Sequence, residues 1–332
     1  MTVHARDLAK HGVPKTIPKT MRAAALDRFG GPEVLTLHEL PVPTLDAGEV
    51  LIAVHTAGVG SWDADMRDGW SPSGRVRFPL VLGTDGSGFV AAVGSRVRRF
   101  KVGDKVYAYT WDNPKGGFYA EYVACPSDEV ADIPKTLDLK HAGAIPTTGL
   151  TAIQGIDDAL HVKKGESIII HGASGGVGTL AVQFAKLRGA RVLATAAGDD
   201  GVALMRRLGA DEAIEGHRDD IAAVAERFAP DGIDAVLGLV GRGLEQCLDA
   251  LRKGGRLAYP NGIEPEPKKR RGITTTPYDA VPGVREFAHL GRAVEAAKLK
   301  VPIFAEFPLT EAGKAHELLA GHVIGKIVLR VR

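Results

Sequence analysis

The sequence predicts an α/β protein of two domains, one rich in short β-strands and one built on a doubly wound parallel sheet, and three observations carry that expectation. A chain of 332 residues exceeds what a single hydrophobic core usually organises. Its hydrophobic fraction of 45% and charged fraction of 25% are those of an ordinary soluble globular protein, and no apolar run approaches the length of a membrane span. The pattern also changes along the chain. Short alternating runs fill the first part, whereas from Ser167 onward apolar strands alternate with amphipathic helices, as in a parallel sheet covered on both faces.

Residues 1–20 contain Arg6, Lys10, Lys15 and Lys19 against Asp7, a net +3 in a chain whose total is +2. With Pro14 and Pro18 and no central apolar stretch, this segment is expected to be a tail, not a signal peptide or a core element. The nearly neutral remainder gives no reason to expect nucleic acid or an anionic membrane as partner. From Met21, the runs Arg22–Leu26, Val34–Leu37, Val50–Thr56, Phe89–Val93 and Val106–Thr110 read as strands. Turn signals separate them at Gly30-Gly31-Pro32, Pro41-Val42-Pro43, Asp46-Ala47-Gly48 and Val102-Gly103-Asp104. His141–Gly155 reads as a helix. Strands then follow at Ile168–Ile170, Arg191–Ala196, Ala213–Glu215, Asp234–Val240 and Arg256–Tyr259. Ile303–Pro308, a helix around Ala312–Leu319 and a last strand Lys326–Val331 return to shorter elements. The expected domains are therefore 21–145 with 302–332, and 146–301. Cys125 and Cys247 are the two cysteines, far apart and without a metal-ligand partner at short spacing. They read as buried small hydrophobes in a reducing, cytoplasmic setting.

The most informative stretch is His171-Gly172-Ala173-Ser174-Gly175-Gly176-Val177-Gly178. Ile168–Ile170 before it suit a strand buried on both faces, and Val177, Leu180, Ala181, Phe184 and Ala185 after it recur at the spacing of one helix face. Strand, glycine turn and helix N-terminus in this order form a cradle for a dinucleotide pyrophosphate, because close backbone approach and free N–H groups favour its charge. Gly175 and Gly178 are expected to admit no side chain. A carboxylate at the end of the next strand would bind the ribose hydroxyls of NAD; Ala196 stands there, which removes that signal and makes room for NADP(H). Ala197-Gly198-Asp199-Asp200 offers no Arg or Lys for a 2′-phosphate.

Further stretches carry a resemblance: Phe29-Gly-Gly-Pro-Glu-Val-Leu35, Phe78-Pro-Leu-Val-Leu-Gly-Thr-Asp-Gly-Ser-Gly88, Val102-Gly-Asp-Lys-Val106, Gly149-Leu-Thr-Ala152 and Gly325-Lys-Ile-Val-Leu329. With the glycine turn, they make Met21–Arg332 resemble a medium-chain dehydrogenase/reductase of the zinc-free quinone oxidoreductase branch related to zeta-crystallin. The resemblance implies a GroES-like β-barrel domain with a Rossmann domain inserted in it, a cleft holding the nicotinamide, and a homodimer. It implies that Thr151 meets the nicotinamide carboxamide, against the alternative of a helix-start threonine. His217 and Arg218 fall where relatives contact adenine or phosphate, against the alternative of a solvated turn pair.

Zinc-dependent relatives place a cysteine and a His-Glu pair where this chain has Gly60 and Thr84-Asp85. Neither Gly nor Thr is a competent zinc ligand, so no metal is expected. Oxidising an unactivated alcohol needs its alkoxide held by a Lewis acid. A quinone or enone takes hydride with less help, since the oxyanion formed is delocalised. The expected activity is an NADPH-dependent reductase of quinones or related conjugated carbonyls. The alternatives are an enone or enoyl double-bond reductase and a nucleotide-binding interaction module without turnover. The loop Gly58–Arg67 would face the acceptor, with Trp62 as a stacking surface and Asp63 or Asp65 as loop anchor or proton relay. It departs from the branch, which commonly has Asn at position 60 and Tyr at position 65. The basic run Lys268–Arg271 reads as a solvated loop, or as an attractor for NADPH or an anionic acceptor. Around Ile273–Thr276, with Ile303–Phe307 nearby, an apolar sheet edge offers a place for two copies to pair.

Overall fold

In the computed structural model the described residues are 16–71, 74 and 76–332; the tail expected over 1–20 lies outside them as far as residue 15. Strand β1 (Thr20–Leu26) pairs antiparallel with β2 (Thr36–Pro41). Pro32, with its fixed φ, turns Pro32–Val34 into a 3-10 turn, so the strand expected from Val34 begins two residues later. Next come β3 (Glu49–Val59), α1 (Ser61–Arg67), β4 (Leu80–Val81), β5 (Asp85–Val93), β6 (Lys105–Tyr109), β7 (Tyr122–Pro126) and β8 (Val130–Asp132).

The helix expected over His141–Gly155 is two helices, α2 (Leu139–Gly143) and α3 (Pro146–Gln154), with a break at Ala144-Ile145. Pro146 sits in the first turn of α3, where its missing N–H costs nothing. The chain then alternates through β9 (Ser167–His171), α4 (Gly176–Leu187), β10 (Arg191–Ala196), α5 (Gly198–Arg207), β11 (Glu212–Glu215), α6 (Ile221–Phe228), β12 (Ile233–Gly238), α7 (Leu244–Asp249), β13 (Leu251–Pro260), β14 (Thr274–Tyr278) and α8 (Val284–Ala297). It ends with β15 (Ile303–Pro308), α9 (Ala312–Leu319) and β16 (Lys326–Arg330).

Two sheet systems result. The inserted sheet has the order β11-β10-β9-β12-β13-β14 with every pairing parallel. Its strand order reverses between β9 and β12, and the carboxyl ends at such a reversal open a ligand crevice. The other system is a barrel in which β15-β16-β3-β5-β6-β8 run in sequence, β7 also pairs with β3, and β2-β1-β4 form a small flanking sheet. Ile303–Phe307, expected beside the edge of the inserted sheet, instead lines the edge of the barrel, where β15 runs parallel to β16. The edge of the inserted sheet is β14, overlapping the expected Ile273–Thr276.

The two systems share a core. Tyr107 and Tyr109 of β6 and Val328 of β16 pack among the apolar residues of α3, α4 and α8. The rings of Tyr107 and Phe287 meet edge to face at 5.0 Å, a favoured aromatic geometry. Cys125 and Cys247 are both buried thiols, and burial pushes the pKa of each upward, as for small hydrophobes.

Candidate functional site

At the end of β9 the chain turns at Gly172, with φ at 80°, and the last residue of the strand pins three strand ends together. His171 Nε2 lies 2.7 Å from the Arg242 carbonyl, so that nitrogen carries the proton and Nδ1 accepts the Thr195 hydroxyl at 2.7 Å. Thr195 Oγ1 in turn accepts the Gly172 N–H at 3.3 Å. Burial lowers the imidazole pKa, which keeps His171 neutral in this role. The only sign of it in the sequence is a polar residue closing an otherwise apolar strand.

Helix α4 follows with Gly175 as a cap that has no side chain to offer. The first-turn N–H groups of Gly176, Val177 and Gly178 therefore have no intrahelical acceptor, at the positive end of a twelve-residue helix. A Cβ on Gly178 would stand 2.5 Å from the Ala173 Cα and carbonyl oxygen. Glycine is required there by the helix folding back on its own turn, not by a ligand. Gly175 is less crowded by the protein: a Cβ there would meet only Gly172 O, at 3.7 Å, which is ordinary contact, so a demand for glycine at this position would come from the pyrophosphate. Open N–H groups, a helix dipole and an uncovered backbone fit a pyrophosphate.

Ala196 closes β10 and is 3% exposed. Beside it, Ser174 Oγ accepts the Ala197 N–H at 3.1 Å. The nearest carboxylate with a structural task is Glu215, at the end of β11, which accepts N–H groups from Gly198 (3.2 Å), His217 (2.8 Å) and Arg218 (2.7 Å). Desolvation pushes its pKa up, but these N–H groups outweigh it and hold the carboxyl below its usual range. His217 and Arg218 are exposed at this rim, and Arg218 pairs with Asp199. Thr151 is not at a helix start. It lies within α3, donating its hydroxyl to Thr147 O at 2.8 Å, while its carbonyl accepts the Tyr278 hydroxyl at 2.8 Å.

On the barrel side, Gly60 caps α1, and Asp63 completes a reciprocal cap. Its Oδ2 accepts the Gly60 N–H at 2.8 Å, while its own N–H donates to Gly60 O at 3.1 Å. Asp63 is fully buried, and desolvation raises its pKa from 3.8 to about 7 against the pull of the Gly60 N–H and Lys326. The Tyr119 hydroxyl approaches it at 3.4 Å and also meets His316 Nε2 at 3.1 Å. Arg67 Nη1 donates to His316 Nδ1 at 3.1 Å. Burial first, and then Arg67, lower the His316 pKa to about 4. Asp65 is exposed and apart from this group.

Trp62 turns back across Gly60: a Cβ on residue 60 would lie 2.3 Å from the indole ring. The indole Nε1 donates to Thr84 Oγ1 at 2.8 Å, and Lys326 Nζ lies 4.7 Å from the ring centroid. Of the three positions where metal-dependent relatives hold ligands, residue 60 has no side chain and its space is filled, Thr84 is a hydroxyl engaged by an indole, and Asp85 is a single buried carboxylate that accepts the Thr147 N–H at 3.0 Å. Zinc does not fit this donor set. Thr84 also lines a hollow with Met66, Trp70, Gly83 and Thr110. Trp70, which lines it, stands 5.7 Å from Trp111. The basic run lies elsewhere: Arg270 is clamped by Glu245 (2.6 Å) and Asp249 (2.5 Å) of α7.

Two family models match the chain, the alcohol dehydrogenase GroES-like domain over residues 46–135 and the zinc-binding dehydrogenase over residues 176–270. The quinone oxidoreductase of Lama guanicoe is 34% identical over 331 residues, covering 95% of this chain and 98% of its own. The chloroplastic NADPH-dependent alkenal/one oxidoreductase of Arabidopsis thaliana is 31% identical over 322 residues, covering 95% of this chain and 80% of its own. A solved structure named as an NAD-dependent alcohol dehydrogenase superposes with a TM-score of 0.87 at 34% identity, over 94% of this chain and 100% of its own.

Two outcomes are expected. Gly178→Val drives a side chain into the Ala173 backbone and should abolish dinucleotide binding in a calorimetric titration, whereas Gly175→Ala should cost far less; equal losses would mean that the 3.7 Å of room at Gly175 is not available in the complex. Asp63, with its pKa raised from 3.8 to about 7, favours the folded state most fully below pH 4 and loses that contribution as pH rises toward 7. Asp63→Asn keeps an acceptor for the cap and cannot ionise. Its melting temperature should rise relative to wild type between about pH 4 and about pH 7; a constant difference would refute the shift.

Proposed function

The chain belongs to the quinone oxidoreductase family, and from that premise we propose that it is an NADPH-dependent reductase that passes a hydride to a quinone or related conjugated carbonyl without a metal ion. The observation that carries this reading is the contact path from cradle to hollow. A Cβ on Gly176 would lie 3.5 Å from Lys326 Cδ, Lys326 covers Trp62, and Trp62 bonds Thr84 at the wall of the hollow. A dinucleotide and an acceptor held at these two places are neighbours, which is what direct hydride transfer requires.

Ser174, Gly175, Gly176, Val177 and Gly178 hold the pyrophosphate, and Thr151 lies beside the nicotinamide. The bound dinucleotide supplies the hydride. The rest is positioning: Trp70, which lines the hollow and packs on Trp111, keeps a flat acceptor in register and away from water. Asp63 serves as the cap of α1, and Asp65, outside the hollow, takes no part.

NADP(H) over NAD(H) is supported by the uncharged Ala196 and by the name of the Arabidopsis relative, while the name of the solved neighbour points the other way. Arg218 is the cation within reach of a 2′-phosphate. Its exposed pair with Asp199 is easily exchanged for a stronger anion. The alkenal/one relative also favours a second acceptor class, enones reduced at the carbon–carbon double bond.

The test is oxidation of NADPH and NADH over a panel of quinones, enones and aldehydes. Quinones should be consumed with NADPH, and Ala196→Asp should shift the ratio of kcat/KM for the two cofactors toward NADH. Reduction of no quinone and no enone would sink the reading. We also assign a homodimer through β14, whose outer edge has no strand paired to it among the described residues. Light scattering at low micromolar concentration should give twice the 35.1 kDa of one chain, and the single-chain mass would rule the dimer out.

A further inference from the structure

Lys326, Trp62 and Thr84 make an arrangement that the cap of α1 does not require. Lys326 is 5% exposed and its Nζ, fully buried, has no hydrogen-bond partner among the described residues. A buried ammonium of this kind is expensive to keep unless its charge is put to use. Its charge pulls on the buried Asp63 carboxyl, and its Nζ stands over the π surface of Trp62, at 4.7 Å. An indole N–H can only donate, so in the 2.8 Å contact with Trp62 the Thr84 hydroxyl is the acceptor. The proton of Thr84 must point elsewhere. Among the described residues no acceptor stands against it, and Thr84 lines the hollow beside Met66 and Trp70.

We propose that Thr84 is the catalytic hydrogen-bond donor to the oxyanion formed on the acceptor, with Trp62 and Lys326 as its positioning residues. This rests on the reading of the hollow as the acceptor site. The cation over the ring face withdraws electron density from the indole and strengthens its N–H as a donor. That bond polarises the Thr84 O–H in the same direction, because hydrogen bonds in a chain reinforce one another. The donor is fixed and shielded before any charge appears, the condition under which such donors contribute most.

The electron balance is simple. A conjugated carbonyl that takes up a hydride gains two electrons and one hydrogen while the reduced dinucleotide is oxidised, and its carbonyl oxygen is left as an anion. Thr84 donates a hydrogen bond to that oxygen and keeps its own proton. The proton that completes the reduction comes from water.

The experiment uses the full chain with oxidised dinucleotide and 4-nitrophenol, whose phenolate is a chromophoric oxyanion. Its absorbance, followed against pH, gives the pKa of the bound probe. In the wild type that pKa should fall below the value for the free phenol. Thr84→Val should bring it back toward the free value, Thr84→Ser should keep the depression, and Trp62→Phe and Lys326→Met should each lose part of it. Under turnover, Thr84→Val should lower kcat about a hundredfold with dinucleotide affinity unchanged, and Thr84→Ser should recover most of the rate.

A probe that fails to bind the wild type, or that titrates identically in wild type and Thr84→Val, overturns the proposal; so does an undiminished kcat in Thr84→Val. If Thr84→Val does not fold, Trp62→Phe decides by the same titration, since it removes the N–H and keeps the ring. A wild type that reduces no acceptor sinks the proposed function instead, and the probe titration then still decides the role of Thr84.

Discussion

A hydrogen bond between the two halves of the molecule, added to the core they share, brings the start of β16 to the glycine turn. The Gly325 N–H donates to the Ser174 carbonyl at 2.7 Å, so the start of β16 is stitched to the glycine turn itself. Gly325 can make this approach because its φ of 86° is open to glycine, and because a Cβ there would lie 2.4 Å from the Pro302 carbonyl oxygen. The next residue along is Lys326. Its side chain is thereby delivered to the seam between barrel and parallel sheet, where it passes Gly176 and ends over Trp62. The C-terminal return thus carries a charge into the site while it closes the barrel.

Much of this architecture was legible because it is written in local periods. The isoleucine run of β9, the glycines that follow and the helical spacing of α4 lie within a few turns of one another, and β10, β15 and α9 fall at the residues their patterns predict. Residues beyond 302 return to shorter elements, and β16 pairs with β3. Less legible was whatever depends on partners far apart in the chain. The Trp62 contact to Thr84 spans 22 residues and the Arg67 contact to His316 spans 249. No periodicity reports either. Thr151 reads as a nicotinamide contact or as a helix-start threonine, and the structure removes the second by placing it within α3. At Gly178 the Ala173 backbone demands glycine and at Gly175 no protein atom does, a distinction the motif cannot carry, since it states that glycine occurs and not which neighbour demands it.

Around α1 the sequence concentrates buried polarity that a short helix would not ordinarily carry. Arg67 reaches His316, His316 reaches Tyr119, and Tyr119 reaches Asp63, all of them buried. Low dielectric makes each of these bonds strong and each missing partner costly. Most of the group is satisfied internally: Arg67 also bonds Gly30 O at 2.9 Å and Asp68 at 2.7 Å. The consequence is rigidity rather than chemistry. Seven residues are held by a cap at one end and a guanidinium at the other, so Trp62 in the first turn has a fixed base from which to fold back.

That fold-back explains why the glycine at position 60 and the tryptophan at position 62 belong together. The ring stands 2.3 Å from where any Cβ on residue 60 would be, so a larger residue there displaces the indole, breaks its bond to Thr84 and uncovers Lys326. Conversely, a small residue at 62 would leave beside Gly60 a void lined by a buried ammonium, which water would enter. A cysteine or an asparagine at position 60 would require the indole to swing away from where it now stands. The chain has exchanged side-chain chemistry at one position for a ring reaching in from two residues later, and the polar atoms around it are arranged to suit that ring.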